Sequence, residues 1–314
     1  MIALQPRQYV GLAAIAEREA GLHMPESKMY FVASRLQRRL RATGLADFDA
    51  YLALLRRDGP EGRQEVQALV SALTTNVTEA FREAHHFEIF AAHLRARLLP
   101  SENAPTQAAP PVRRHRDFDV MPHEGSSVRV RYLAWSAGCS TGEEPLSMAA
   151  VCHAVLGHDW TRHIRILATD VDFAVLDAAR DRRHDTALAR QLQTLPPGIC
   201  GPDRHPPLSD PIEWMRSLHA GITVMRHNLL QELDLPGRFD AIFCRNVTIY
   251  FNREAQEKVH GSLCARLAPD GLLALGHSER LFVSEPGLVP AGRTAFRRMP
   301  CVTETSPGKA LPCH

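Results

Sequence analysis

The sequence predicts an α/β fold, with a doubly wound, mostly parallel sheet preceded by a small all-α domain. Three observations carry this. From residue 128 onward, short apolar runs alternate with segments of helical periodicity, the pattern of a parallel sheet covered by helices on both faces. From Gln8 to about Leu55 the apolar residues recur at helical spacing, broken at Gly21–Pro25, Thr43–Gly44 and Asp58–Gly62. Between the first strand and first helix of the alternating region lies a small-residue turn, W-S-A-G-C-S-T-G-E-E-P-L at Trp135–Leu146. A strand, a tight turn and a helix form the junction where α/β proteins hold nucleotide-like ligands at the carboxyl edge of the sheet.

The all-α domain is expected over residues 1–98, with Val10, Ala13 and Ala14 on an early helix and Met29, Val32, Leu36 and Leu40 on the next. In that second helix S-R-L-Q-R-R-L-R places Arg35, Arg38, Arg39 and Arg41 away from Leu36 and Leu40. A solvated face explains such charges as well as a binding surface does. Residues 99–127 read as a linker, because Pro100, Pro105, Pro110, Pro111 and Pro122 accompany the basic run Arg113–Arg116. The sheet domain then spans 128–300. Its expected elements are a strand at Val128–Trp135, a helix to Leu156, strand Ile164–Thr169, helix Phe173–Arg180, strand Ile222–Met225, strand Phe239–Cys244, helix Arg253–Leu267 and strand Gly271–Leu275. Prolines at 196, 197, 202, 206, 207 and 211 interrupt the pattern, so residues 181–221 are expected to be an irregular insertion with one short helix near Ala187–Leu195. Residues 301–314 form a tail.

Composition narrows the function. With 37 basic and 35 acidic side chains the net charge is +2, which argues against a chain-wide nucleic-acid or membrane footprint. No apolar run reaches the roughly 18 residues of a membrane span, so direct membrane insertion is not expected. The seven cysteines include no C-x-x-C pair, hence no disulfide or zinc framework, and they suit a reducing compartment. A cytoplasmic location follows as the expectation.

The turn at 135–146 has the wrong sign for a phosphate. Glu143 and Glu144 stand where a phosphate-binding loop would carry Lys, while Gly138 and Gly142 allow close backbone approach and Ser140 and Thr141 offer hydroxyls. An acidic turn suits a ligand bearing hydroxyls and positive charge, such as S-adenosylmethionine with its ribose, amino group and sulfonium. An ordinary tight turn with Glu in the first helical turn fits the same residues. Asp170 ends the second strand of this region some 30 residues later, where an acceptor-only carboxylate can take both ribose hydroxyls; an N-cap is the alternative. In H-N-L-L at 227–230, Asn228 could read an adenine edge with its amide while Leu229 packs on the ring. Arg245 and Asn246 end an apolar strand at the same edge, and such groups need partners when buried.

Five separated motifs occur in an order that resembles the CheR family of chemotaxis protein-glutamate O-methyltransferases. They are T-T-N-V-T-E-A-F-R-E at Thr74–Glu83, W-S-A-G-C-S-T-G-E-E-P, A-T-D-V-D, F-D-A-I-F-C-R-N-V-T-I-Y-F and G-H-S-E-R-L at Gly276–Leu281. The resemblance implies a class I methyltransferase-like sheet, S-adenosylmethionine as methyl donor, no metal, and glutamates in the cytoplasmic helical region of chemoreceptors as acceptors. It also implies cofactor contacts at Asn76, Thr78, Arg82, Glu143, Asp170, Asn228, Leu229, Arg245 and Asn246, with Glu143 favoured over Glu144. Arg82 would meet the methionine carboxylate. By the same resemblance the helix carrying Arg35, Arg38, Arg39 and Arg41 becomes a surface for an acidic receptor helix. Arg245 and Tyr250 are expected beside the transferred methyl, and a monomer is expected.

The match has departures. Ala80 and Leu146 replace a commonly found Phe and Tyr, and the 181–221 insertion lacks the G-x-Y element and small antiparallel β-subdomain with which family members grip receptor tails. His85 and His86, adjacent on a helical segment, are not expected to face one metal, and His277 is expected to make a structural hydrogen bond. Two competing functions stand beside methyl-ester formation. Nitrogen methylation fits poorly, because C-R-N-V-T-I-Y is not an N-P-P-Y-type element. A non-catalytic, regulatory protein that binds the cofactor or its product is the other.

Overall fold

The computed structural model describes residues 2–99, 130–199, 205–283 and 287–299. Nearly all of the expected linker and the 301–314 tail lie outside these residues. Four helices form the amino-terminal bundle: α1 (Pro6–Ala20), α2 (Met29–Thr43), α3 (Phe48–Leu55) and α4 (Pro60–Leu73). Their ends follow from local chemistry. Pro6 and Pro60 occupy first-turn positions that need no N–H, Asp47 accepts a hydrogen bond from Ala50 N, and Gly21 and Gly44 close α1 and α2 in the left-handed conformation. Leu12, Leu36, Phe48, Tyr51 and Leu69 meet in a core with no exposed surface. Truncating one of these to Ala would remove about 2–5 kcal/mol of stability.

Helix α5 (His85–Leu98) falls within the expected helical domain but packs elsewhere. Phe90 meets Phe243 edge-on at 5.6 Å and Phe87 lies tilted against it at 5.5 Å, inside the core of the sheet. Seven strands follow in the order β3-β2-β1-β4-β5-β7-β6. They are β1 (Tyr132–Ala137), β2 (Ile164–Asp170), β3 (Ile222–Arg226), β4 (Phe239–Cys244), β5 (Leu267–Leu275), β6 (Leu288–Gly292) and β7 (Ala295–Arg298). The first five pair in parallel, and β7 runs antiparallel to both β5 and β6. Helices α6 (Glu143–Leu156), α7 (Phe173–Asp181), α8 (Thr186–Gln193), α9 (Pro211–His219) and α10 (Arg253–Arg266) complete the domain. This is the doubly wound fold expected, of the class I methyltransferase type, with an all-α domain ahead of it.

Several details differ from expectation; β5, for one, begins at Leu267 rather than Gly271. β1 runs two residues further than the apolar run, because Ser136 and Ala137 are buried in the parallel sheet despite their small, weakly apolar side chains. The β6–β7 hairpin went unforeseen; its half-exposed edge residues carry little hydrophobic pattern. Among its described residues the insertion holds the expected short helix, α8, and an unexpected second one, α9. Asp185 caps α8 through Leu188 N, and Asp210 caps α9 through Ile212 N and Glu213 N with Pro211 at the first helical position. A proline there starts a helix instead of breaking one.

The strand order reverses at β1, whose neighbours β2 and β4 are reached by connections running in opposite directions. A crevice opens at that reversal, outside the carboxyl ends of the strands.

Candidate active site

Four chain segments meet over that crevice, together with the ends of α1 and β2. The first is the β1–α6 turn. Gly138 has φ +96°, and a Cβ there would lie 2.3 Å from Val247 Cγ2, so only glycine lets the β1 and β4 exits approach. Gly142 (φ +96°) and Ser140 (φ +48°) complete the turn in left-handed conformations.

The acidic residues of this turn divide their roles in a way the sequence did not indicate. Glu144 lines the cavity; its Oε1 accepts from Ser136 Oγ at 2.7 Å and its Oε2 from Arg245 Nη1 at 3.1 Å. Burial pushes its carboxyl pKa up, against the pull of the Arg245 charge. Glu143, expected as the cofactor contact, lies outside the cavity. It pairs with Arg182 at 2.6 Å, accepts from Thr141 Oγ1 at 2.7 Å, and faces a neighbouring cleft beside α8. Successive helical residues point about 100° apart, so only one of two adjacent glutamates can face the crevice.

Asp170, at the end of β2, also lines the cavity. Its carboxylate accepts from Ser140 N at 2.9 Å and Asp172 N at 3.0 Å, and burial raises its pKa against those two hydrogen bonds. Asp172, nearly fully buried, works as a clamp between domains. It accepts from Ser71 Oγ, from Thr74 Oγ1 at 3.1 Å and from Asn76 Nδ2 at 2.9 Å, while capping α7 through Ala174 N.

That clamp seats the second segment, Thr74–Glu83, over the front of the crevice. Asn76, Thr78 and Arg82 all line it, as expected. The amide of Asn76 is directed at Asp172, and its carbonyl accepts from Ser140 Oγ at 3.2 Å. Arg82 hydrogen-bonds the Val77 carbonyl at 3.1 Å and has no carboxylate partner among the described residues.

The third segment follows β3. Asn228 and Leu229 line the cavity, yet the amide of Asn228 is engaged elsewhere: Nδ2 donates to Glu19 O at 2.9 Å and Oδ1 accepts from Leu230 N at 3.0 Å. This corrects the expectation that the amide reads an adenine edge. It fastens α1 to the sheet domain, leaving the backbone and Leu229 to face the crevice.

The fourth segment leaves β4 and carries Arg245, Asn246, Val247 and Tyr250 into the cavity. Arg245 finds partners for its two terminal nitrogens. Glu144 lies 3.1 Å away, Glu83 3.6 Å, and the Arg82 carbonyl accepts from Nη2. Glu83 in turn lies 3.0 Å from His277 Nδ1. Burial alone would raise the Glu83 carboxyl, but the His277 hydrogen bond and the Arg245 charge hold it at about 2. His277 thus makes the structural hydrogen bond expected of it. Tyr250 is held through its backbone, whose carbonyl accepts from His23 N at 2.8 Å, with the Lys28 ammonium 6.0 Å from its ring.

Two expectations away from the cavity change. Arg39 does not belong to an exposed basic face: it forms a two-pronged pair with Glu65 at 2.6 and 2.9 Å, and Tyr51 donates to the same carboxylate at 2.7 Å. Arg39 is three residues past Leu36, on the flank of the buried stripe. Arg35, Arg38 and Arg41 are exposed. His85 and His86 do converge, with ring centroids 4.1 Å apart, because they open α5 together around the Arg293 carbonyl. With Glu83 their donor atoms lie within 4.8 Å of one another. Arg245, 3.6 Å from that carboxylate, already supplies it with a cation.

Sequence reasoning missed Asp172 and Glu279, both buried, and the half-buried Glu83, three carboxylates that contact backbone and neighbouring side chains rather than the crevice. Their positions inside recognisable motifs were the only available signal.

Comparison with known proteins supplies the context. A family model described as CheR methyltransferase, SAM binding domain, matches residues 118–292, and one described as CheR methyltransferase, all-alpha domain, matches residues 7–74. The chain is 36% identical over 285 residues to the chemotaxis protein methyltransferase of Salmonella typhimurium, covering 88% of this chain and 85% of that one. It is 34% identical over 312 residues to the chemotaxis protein methyltransferase of Escherichia coli, covering 94% and 92%. Chemotaxis protein methyltransferase 2 of Pseudomonas aeruginosa is 35% identical over 289 residues, covering 89% and 88%. Among the described residues no helix is long and apolar enough to cross a membrane.

Proposed function

The chain belongs to the CheR methyltransferase family, and on that footing we propose that it transfers the methyl group of S-adenosylmethionine to glutamate side chains of a chemoreceptor, giving methyl esters. One observation carries the reading: at the strand reversal, the carboxylates of Asp170 and Glu144 and the guanidinium of Arg82, which has no carboxylate partner among the described residues, line one cavity. That donor set fits a ligand with hydroxyls, cationic groups and one carboxylate. In this reading Asp170 accepts from the ribose, Arg82 meets the methionine carboxylate, and Glu144 sets the negative potential facing the sulfonium. Asn76, Thr78, Asn228, Leu229 and Asn246 complete the walls.

The methyl donor supplies a carbon already activated for displacement, so little is asked of the protein. A glutamate acceptor has an ordinary pKa near 4.3 and is an anion at neutral pH, which removes the need for a general base. One of its oxygens forms the new bond to the methyl carbon as the carbon–sulfur bond breaks and its electron pair returns to sulfur. The chain's residues orient the two reactants in line and keep water out. In this reading Tyr250, which lines the cavity, lies beside the transferred group. Arg245 acts indirectly, because its guanidinium is engaged by Glu144 and Glu83 and so holds the carboxylate that faces the crevice.

Docking of the acceptor is assigned to the exposed Arg35, Arg38 and Arg41 of α2, which suit an acidic helix. Arg39 is excluded by its pairing with Glu65. Among its described residues the insertion carries helices α8 and α9 and no strand, so gripping of a receptor tail by a β-subdomain is not part of the reading.

The test is transfer of labelled methyl from S-adenosylmethionine to membranes bearing candidate receptors, with release of the label by mild base. Ester-type, base-labile label is the expected result. Binding of S-adenosylhomocysteine without transfer to any glutamate-bearing acceptor would replace this reading with the regulatory one.

A further inference from the structure

We infer that Glu279 is a positioning residue that sets the shape of the cavity through the turn leaving β4. Its carboxylate is 5% exposed and collects five hydrogen bonds. Oε1 accepts from Val247 N at 3.0 Å, Thr248 N at 2.7 Å and Thr248 Oγ1 at 2.7 Å. Oε2 accepts from Asn246 N at 2.8 Å and Gly276 N at 2.6 Å.

Three consecutive backbone N–H groups converging on one anion form a nest, made possible here by the left-handed Asn246 at φ +59°. Without an acceptor these buried donors would be orphaned, so the turn and the carboxylate depend on each other. The turn carries Asn246 and Val247 into the cavity and leads directly to Tyr250. Glu279 itself is not among the residues lining the cavity; it acts through them, tying the loop after β5 to the exit of neighbouring β4.

Gly276 makes the approach possible. A Cβ there would lie 2.7 Å from Asn246 N and 2.8 Å from Glu279 Oε2. The G-H-S-E stretch therefore contributes a glycine and a glutamate to one clamp.

The inference rests on the proposed cofactor site only in taking the cavity as the place where S-adenosylhomocysteine binds. Glu279→Gln keeps the size but turns an NH2 group toward N–H donors, and Gly276→Ala crowds the clamp without changing charge. Leu263→Ala, in the buried face of α10, serves as a control for stability alone. In both clamp variants we expect S-adenosylhomocysteine affinity to fall about tenfold or more and kcat/KM to fall about 10²-fold, the scale of a small misplacement of reacting groups. The control, melting as low or lower, should retain both. Wild-type affinity in folded Glu279→Gln, or equal losses in the control, would overturn the inference. Should Glu279→Gln not fold, Thr248→Val removes one of the five donors, and an unchanged KM for S-adenosylmethionine would equally overturn it. Amide hydrogen exchange at residues 246–248 reads the clamp without ligand. It should accelerate in Gly276→Ala, and protection at the wild-type level would count against the clamp even if the cavity binds something else.

Discussion

Charge is used in opposite ways at the two ends of this molecule. On α2, Arg35, Arg38 and Arg41 stand in solvent, where each is screened and contributes little to stability. At the sheet edge, Arg245 is buried between Glu144 and Glu83, and neither sign can be removed without leaving the other uncompensated. Surface charge can steer a partner at almost no structural cost, whereas crevice charge must be built into the fold before it can select a ligand. The same contrast appears within α2 itself, where Arg39 is structural and its neighbours are not.

The contrast breaks most visibly at Arg245. Arg245→Ala should destabilise the protein by about 3–5 kcal/mol, the range for breaking a buried ion pair, as read from denaturant unfolding, and methyl transfer should be lost with it. A stability change below about 1 kcal/mol would place this pair with the surface charges. The same network has a pH signature. The Glu83 carboxyl lies at about 2 in the folded protein against 4.5 ordinarily, so it is lowered. Its stabilising contribution is therefore full above pH 4.5 and lost as the pH falls toward 2. Glu83→Gln should flatten the wild-type decline across that window, measured as melting temperature against pH.

Next in size is Asp170→Ala, which should weaken cofactor binding by about 1–3 kcal/mol in calorimetry, the range for losing a charged hydrogen-bond partner. Unchanged affinity would mean the ribose lies elsewhere. Glu144→Gln sharpens the electrostatic claim. It should weaken S-adenosylmethionine relative to the uncharged-sulfur product by about 1.4 kcal/mol, roughly tenfold. Equal weakening of both ligands would show that Glu144 supports the cavity's shape and not its potential.

The smallest effects belong to α2. Replacing Arg35, Arg38 and Arg41 together with Ala should lower transfer to receptor by about 0.2–1 kcal/mol per residue, more at low salt, and leave cofactor affinity alone. Arg39→Ala should do the reverse, lowering stability and sparing the salt-dependent part of docking.

Much of this was legible from local patterns. Alternating apolar runs placed β2, β3 and β4 within a residue of their observed ends, since strands buried on both faces read as continuous hydrophobic stretches. The glycine turn, Asp170 and the polar end of β4 marked the crevice because backbone approach and buried polarity leave few residue choices. The β6–β7 hairpin and the second helix of the insertion, α9, were not legible, the first for want of a hydrophobic pattern and the second because prolines that break one helix can start another.

By itself, then, the sequence determined the alternation of the five parallel strands with helices, the edge at which the crevice opens and the residue types that reach it. Only the tertiary structure decided between near-equals: Glu144 over Glu143 in the crevice, Arg39 turned inward beside three exposed arginines, the Asn228 amide on α1 instead of a base, and Glu279 beneath the β4 turn. The reason is physical. Periodicity states which face of a helix or strand is buried. The partner of a buried charge or amide is set by long-range packing, here between segments 209 residues apart, and no local pattern encodes it.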